Sequence, residues 1–452
     1  MYRTYKTPIA EAAPAIKIPE PRVSKFVIFL LRILGRFYLF LLYGIARIVF
    51  EGGDKALLET FKRNLDGKSR CMIAFRHPNG GEPQILTWFF LFKVKSLARK
   101  NKVRFSRPPH AFFVYGYEVF LWGGGPARFI MPRIGAMHIF HAKMDTRGMD
   151  RIYKTIQDGA YPLALAPEGQ VSYTTDSVPR LEPGVIRIGF NAAERMAQNK
   201  PDCPIEILPL SVFFRYGAWG SMAMGKLLKK VEKLTGLYQR GRERIPFTER
   251  VRQCRDHILK VNEERYGLNH DNSLSFAERL DKVINAALET GERMIGAKSE
   301  GIIFARMYRL RQYCWDRIYL PEFENFKGIS RIERSVRDLQ AGEAWYIARH
   351  QEIVDFCWYF RLPPPAEEAA LHNKVEYVQN LWDFANRTMG GAFSDRANIF
   401  PQKVIIRAAP VINLSERLPS YRQDKKAAIA EAMTDLEKAY LNSIEEANRE
   451  EG

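Results

Sequence analysis

A histidine and a carboxylate stand five residues apart in RHPNGGEPQ, directly behind the apolar run CMIAFR. A carboxylate on one imidazole nitrogen fixes the tautomer and makes the other nitrogen a better base. His77 and Glu82 can form such a pair if the chain between them turns back sharply. Gly80 and Gly81 allow that turn, and Pro83 suits the opening of a helix. The chemistry would be general-base catalysis. Taken alone, the same spacing also fits an unrelated surface histidine and surface glutamate.

A second apolar run, LALAPEGQ, ends in Pro167-Glu168-Gly169. Proteins with α/β sheets place ligands just beyond the carboxyl ends of their strands. Glu168 could orient a hydroxyl or charged ligand there, although Pro-Glu-Gly is equally an ordinary turn. His110, His138 and His141 lack HExxH spacing and read as strand and loop histidines, so no metal is expected. Gly123-Gly124-Gly125 is not followed by GK[ST] and reads as a turn before Pro126.

Both chemical loops need strands that end at them. Cys71–Arg76, Ala111–Tyr115, Leu163–Ala166 and Glu206–Val212 are short apolar runs with strand character. Helical patterns over Asp54–Leu65, Pro83–Arg99, Gly148–Gln157 and Gly184–Ala197 alternate with them. This alternation predicts an α/β sandwich whose sheet is partly parallel and buried. Strand signals fade after Gly217. Ser275 and Glu278 have capping-box spacing ahead of the apolar stripe Leu280, Val283, Ile284, Ala287 and Leu288. Similar periodicity recurs around Ser221–Leu234, Thr248–Asn262, Ile302–Ile318 and Val375–Ala385. After Pro401, KVIIRAAPV is strand-like again, and a last helix is expected from about Gln423 to Glu446. The expected organisation is a basic arm and membrane-associated helix over 1–53, an α/β domain over 54–217, a helical insertion over 218–401, and closure of the α/β domain by 402–452.

Residues 1–24 carry Arg3, Lys6, Lys17 and Arg22 and read as an extended arm. Phe26–Phe50 is then almost wholly apolar. As one helix it would span about 38 Å, with Arg32, Arg36 and Arg47 within about 60° of one another. That suits a helix lying in a membrane interface, arginines toward anionic headgroups. A tilted spanning helix and a core helix with surface arginines are the alternatives. The chain holds 69 Lys+Arg against 51 Asp+Glu, a formal net charge of +18, which favours anionic partners. With 46% hydrophobic and 27% charged residues it can bury a core. Its five cysteines form no CxxC, which argues against a disulfide framework or cysteine-held zinc and for a reducing compartment. No recognisable nucleic-acid module is present, and nucleic acid is not an expected partner.

In order, these motifs resemble those of the glycerolipid acyltransferase superfamily, whose best-known members make phosphatidic acid from lysophosphatidic acid. The family's His-x4-Asp corresponds to His77 through Glu82, followed by Pro83. Its glycine-containing second block lies around Gly135 in MPRIGAMHIFH. Its Phe-Pro-Glu-Gly-Thr corresponds to Ala166-Pro167-Glu168-Gly169-Gln170, and its Val-Pro-Val strand to Leu208-Pro209-Leu210. Gly184 and Arg187 resemble a further helix motif, and Ala409-Pro410-Val411 resembles a late turn. The chain departs from the pattern in several places. Glu82 replaces an aspartate, His141 stands where an arginine is usual with Arg133, Arg147 and Arg151 nearby, and Val171 replaces another arginine. These losses weaken a simple phosphate monoester as acceptor.

The resemblance implies acyl transfer from acyl-CoA or acyl carrier protein to a hydroxyl of a lysophospholipid or related glycerolipid. It makes His77 the general base and Glu82 its orienting carboxylate. Pro167, Glu168, Gly169, Arg133 and His141 become the substrate-binding residues. It implies no cofactor beyond the acyl thioester co-substrate and no metal. It also implies anionic membrane lipids as partners, at the cytoplasmic face. The alternative is a catalytically silent lipid-binding scaffold of the same fold.

Overall fold

The computed structural model describes residues 9–15, 20–117, 119–120, 124–140, 145–391 and 396–450. The chain forms two compact units. One comprises Met1–Lys17 and Ala218–Ile399, the other Ile18–Gly217 and Phe400–Gly452.

The second of these is the α/β unit. It opens with helix α1 (Lys25–Tyr43), capped by the Ser24 side chain, which accepts from the Val27 N–H. The single helix expected over Phe26–Phe50 is not formed. Gly44 takes a φ of 64° and ends α1, its N–H returning to Phe40 O at 3.0 Å. A Cβ there would lie 1.5 Å from the Phe400 ring, so the corner requires glycine. The next residues, rich in β-branched side chains, form strand β1 (Ile45–Phe50). Arg47 therefore lies on a strand, paired with Lys403, and the expected three-arginine helical face does not exist. Arg36 turns back to donate to the carbonyls of Ile45 and Ala46, bracing the helix-to-strand corner.

The chain continues through α2 (Asp54–Leu65), β2 (Arg70–Phe75) and α3 (Glu82–Trp88). A π-helical stretch, Phe89–Val94, carries α3 on into Lys95–Lys100. Then follow β3 (Phe112–Gly116), α4 (Gly124–Arg133), β4 (Met137–Ile139), α5 (Thr146–Asp158), β5 (Leu163–Leu165), α6 (Gly184–Asn199) and β6 (Ile205–Tyr216). Gly124, Gly125 and Pro126 lie in the first turn of α4, so the turn expected before Pro126 is helical at Gly124 and Gly125, while Gly123 lies outside the described residues.

Here the chain enters the helical unit: α7 (Ala218–Leu234), α8 (Phe247–Arg265), α9 (Phe276–Met294), α10 (Ile303–Ile318), α11 (Arg331–Tyr359) and α12 (Leu371–Thr388). The capping box at Ser275 and Glu278 is present at the start of α9. The only described strand pairing in this unit is the two-residue match of Ala13–Pro14 with Tyr319–Leu320. Buried arginine–carboxylate pairs run through it. Arg279 holds Glu263 with two hydrogen bonds of 2.7 and 2.6 Å, and Arg306 holds Glu292 with two of 2.9 and 2.7 Å. Forked contacts of this kind fix helix register as well as energy.

The chain rejoins the α/β unit at β7 (Gln402–Ala408), then β8 (Ile412–Asn413), α13 (Leu418–Gln423) and α14 (Lys425–Arg449). The sheet order is β1-β7-β6-β2-β5-β3-β4, with β8 also on β6. Neighbours from β6 through β4 pair in parallel, and β7 and β8 run antiparallel to β6. The fold is therefore mixed α/β with a mainly parallel sheet. One face packs on α2, α3 and the π-helical stretch through Leu57, Phe61, Ile85 and Phe89. The other packs on α6 and α14 through Phe190, Met196, Leu436 and Tyr440. Burial on both faces explains the continuous apolar stretches Cys71–Phe75 in β2 and Ile207–Leu210 in β6.

Candidate active site

β2 and β5 are adjacent parallel strands, with Met72 opposite Leu163 and Ala74 opposite Leu165. The two chemical loops therefore leave the same edge of the sheet side by side. This is where open α/β sheets present ligand-binding residues.

Glu82 opens α3 and is fully buried. Its Oε2 lies 2.5 Å from His77 Nδ1. The loop wraps the same carboxylate: Asn79 N–H donates to Oε1 at 2.7 Å and Gly80 N–H to Oε2 at 2.8 Å. Three donors thus converge on a carboxylate closed off from water. A hydrogen on Nδ1 satisfies this arrangement and leaves Nε2 as the basic nitrogen. Among the described residues Nε2 has no hydrogen-bond partner, and the His77 side chain keeps 17% of its surface exposed. Burial lowers the imidazole pKa, but the Glu82 charge and hydrogen bond, helped by Glu168, outweigh it and hold it above the ordinary histidine value. The methylene that distinguishes Glu82 from aspartate does not prevent the contact.

Glu168 is positioned differently from the expectation. Its Oε1 accepts from Arg76 Nε at 2.6 Å, and its Oε2 accepts from the His77 backbone N–H at 3.2 Å. Its side chain is 1% exposed. It faces the protein and does not point outward to an acceptor. Pro167 is also buried, its carbonyl taken by the Glu182 N–H at 2.6 Å, while Gly169 is exposed.

Arg76 is the residue that sequence reasoning missed. Its guanidinium is buried and also donates to the carbonyls of Thr174, Thr175 and Ser177 at 3.1, 3.2 and 2.8 Å. The Tyr440 ring lies 5.8 Å from it, and Tyr440 Oη donates to Ala74 O at 2.9 Å. Arg76 therefore ties the Glu168 turn to the segment after it. That segment returns to the dyad, where Ser172 N–H donates to His77 O at 2.9 Å. A signal was present in the sequence: an arginine closing an otherwise apolar strand is costly to bury unpaired, and Glu168 at the end of another apolar run is a carboxylate that can pair with it.

Arg133 does not join this group. α4 runs from the carboxyl end of β3 back to the start of β4, so Arg133 lies toward the opposite edge of the sheet from His77. Its guanidinium stacks 3.9 Å from the Phe129 ring centroid and donates to Phe129 O. His141 lies outside the described residues. His110 is buried against Ile134 O at 2.8 Å, and burial pulls it down to about 4. Tyr43, at the end of α1, does reach the site. A Cβ on Gly81 would come within 2.9 Å of its ring. Burial, then Tyr38, then the Glu82 charge push its phenol up.

α1 thus runs along the α/β unit toward the dyad. At its start Ser24 N–H donates to Arg133 O, in its middle Gly35 lies against Trp88, and its end abuts Gly81. Only Val27, Gly35 and Leu39 of this helix are buried. Phe26, Phe29, Ile33, Phe37, Phe40 and Leu41 are all exposed. By length and composition α1 is apolar enough to cross a membrane.

Compared with protein-family models and with curated proteins, the chain matches none.

Proposed function

We propose that this protein is a membrane-associated acyltransferase. It would move a fatty acyl group from acyl-CoA or acyl carrier protein to a hydroxyl of a lysophospholipid or related glycerolipid. The observation that carries this reading is the His77–Glu82 pair: a buried carboxylate on Nδ1, with Nε2 open at the carboxyl edge of a mainly parallel sheet.

In this mechanism Nε2 of His77 accepts the acceptor's hydroxyl proton as the oxygen attacks the thioester carbonyl carbon. Glu82 holds the ring and stabilises the imidazolium that forms. The new C–O bond forms, the C–S bond breaks, and the leaving thiolate takes the proton from His77. The products are the ester and the free thiol, with His77 neutral again. Glu168 and Arg76 are positioning residues that fix the His77 backbone. The exposed apolar face of α1 supports a site held at a membrane interface, where lipid acceptors reside. Attachment of α1 along the unit supports a helix lying in that interface. Acyl-CoA and buried thiols suit the cytoplasmic side.

The test is transfer of a labelled acyl group from acyl-CoA or acyl carrier protein to a panel of lysophospholipids. His77→Ala should lower turnover by about two to four orders of magnitude. Lipid binding without turnover in the parent protein would favour the silent scaffold. Undiminished turnover in His77→Ala would remove the mechanism.

A further inference from the structure

The helical unit carries a surface that the acyl-transfer chemistry does not use. α7 has one acidic residue, Glu232, and it points inward. Its carboxylate is buried and takes Arg242 Nε at 2.8 Å and Arg250 at 2.8 and 3.0 Å. The outward side is Trp219, Met222, Lys226, Lys229, Lys230 and Lys233, all exposed. At 100° per residue these six fall within about 100° of arc, along roughly 21 Å of helix. The buried residues Gly220, Met224, Leu227, Leu228, Val231 and Glu232 occupy the opposite side.

Two properties of this stripe select its partner. The first is charge. Among the described residues none of the four lysines pairs with a carboxylate, and Lys229 and Lys233 share the Tyr238 ring at 4.8 and 5.2 Å. The second is the apolar end, where Trp219 is 72% and Met222 51% exposed. Tryptophan and methionine beside a lysine row match a headgroup layer over an acyl region, where an amphipathic ring sits at the boundary and lysines meet anionic lipid. A polynucleotide would use the lysines and leave Met222 without a role.

We infer that α7 is a second membrane-docking element, which lays its lysine row on an anionic bilayer surface and seats Trp219 and Met222 at the headgroup boundary. This concerns the helical unit and does not rest on the acyl-transfer reading.

The experiment uses the full chain with vesicles of phosphatidylcholine alone or with about one third phosphatidylglycerol. Replacing Lys226, Lys229, Lys230 and Lys233 together with glutamine should weaken binding to the anionic vesicles at least about tenfold and leave neutral-vesicle binding within about twofold. The matching arginine replacements should bind like the parent, which separates lost charge from lost folding. Trp219 fluorescence should be quenched by brominated acyl chains, seen as the part of the quenching that Trp219→Phe removes. Turnover toward a monomeric short-chain acceptor should not change, which keeps this result apart from the test of His77. Unchanged affinity of the glutamine variant for anionic vesicles would overturn the inference. So would loss of RNA binding with vesicle binding intact, or no quenching assignable to Trp219.

Discussion

The backbone N–H of His77 donates to Glu168 Oε2 at 3.2 Å, joining residues 91 positions apart in the chain. The other oxygen of that carboxylate belongs to Arg76. The position of His77 is thus set twice, by Glu82 on its ring and by Glu168 on its backbone. Both carboxylates are buried, and each is stabilised by donors from the other's loop or from its own.

The Arg76–Glu168 pair gives a stability prediction. Arg76→Met strands a buried carboxylate, and breaking such a pair costs about 3–5 kcal/mol. Urea unfolding of the full chain should register a loss of that order in the α/β unit. Adding Glu168→Gln removes the stranded charge and should recover more than half of the loss. An Arg76→Met protein as stable as the parent would contradict the burial of the pair.

A pH prediction follows from the raised pKa of His77. Folding favours the imidazolium. Its contribution to stability is complete below the unfolded histidine value of about 6.5 and is lost as pH climbs through the higher folded value. Under the proposed mechanism catalysis runs the other way, because His77 must be neutral to take a proton. The acid limb of kcat/KM should lie above the ordinary histidine range. Glu82→Gln removes the Glu82 charge, which does most to raise the pKa, and leaves burial, which lowers it, opposed only by the Glu168 charge. The limb should therefore move to lower pH while the maximal rate falls about a hundredfold. A limb that stays in place would mean that His77 is not the titrating base.

The features legible in the sequence are those decided locally. His77 and Glu82 are joined by one tight loop, so their spacing carries the geometry. The α9 cap is equally local, since Ser275 and Glu278 sit one turn apart. Arg76 and Glu168 meet only because β2 and β5 pair in register, and no spacing encodes that. β1 is the clearest failure. Ile45–Phe50 is as apolar as the helix before it. What makes it a strand is pairing with β7, whose Val404 and Ile405 lie opposite Ile48 and Val49 far along the chain. Tertiary pairing overrides local pattern there.

Gly80 tests how closely the loop must be shaped. Its φ is 98°, a region L side chains rarely adopt, while a Cβ would meet nothing closer than Val171 at 3.8 Å. Gly80→Ala therefore adds backbone strain of about 1–3 kcal/mol without a clash. The Gly80 N–H is one of the donors on Glu82, so relaxation of the strain should disturb the dyad. We expect kcat to fall about tenfold with KM little changed and secondary structure intact. Parent-like kcat would show that the loop tolerates another path between His77 and Glu82.

The membrane prediction rests on α1. Phe26, Phe29, Ile33 and Phe37 fall within about 80° of one another on the helix. All four are exposed, on the side away from Val27, Gly35 and Leu39. Each side chain gains about 1.5–3 kcal/mol when fully buried in an apolar phase. An interfacial helix buries part of that, so four together should supply several kcal/mol. Replacing all four with serine should weaken binding to neutral and anionic vesicles alike, by at least about a hundredfold, and equally at low and high salt. Thermal unfolding should barely move, because none of the four contributes to the core. Leu39→Ser should do the reverse, costing about 2–5 kcal/mol of stability from a fully buried site while leaving the exposed face in place. Salt separates this face from the lysine row of α7, since apolar burial is not screened and charge attraction is. If the four-serine protein bound neutral vesicles as the parent does, α1 would be no anchor, and its exposed face would need a protein partner instead.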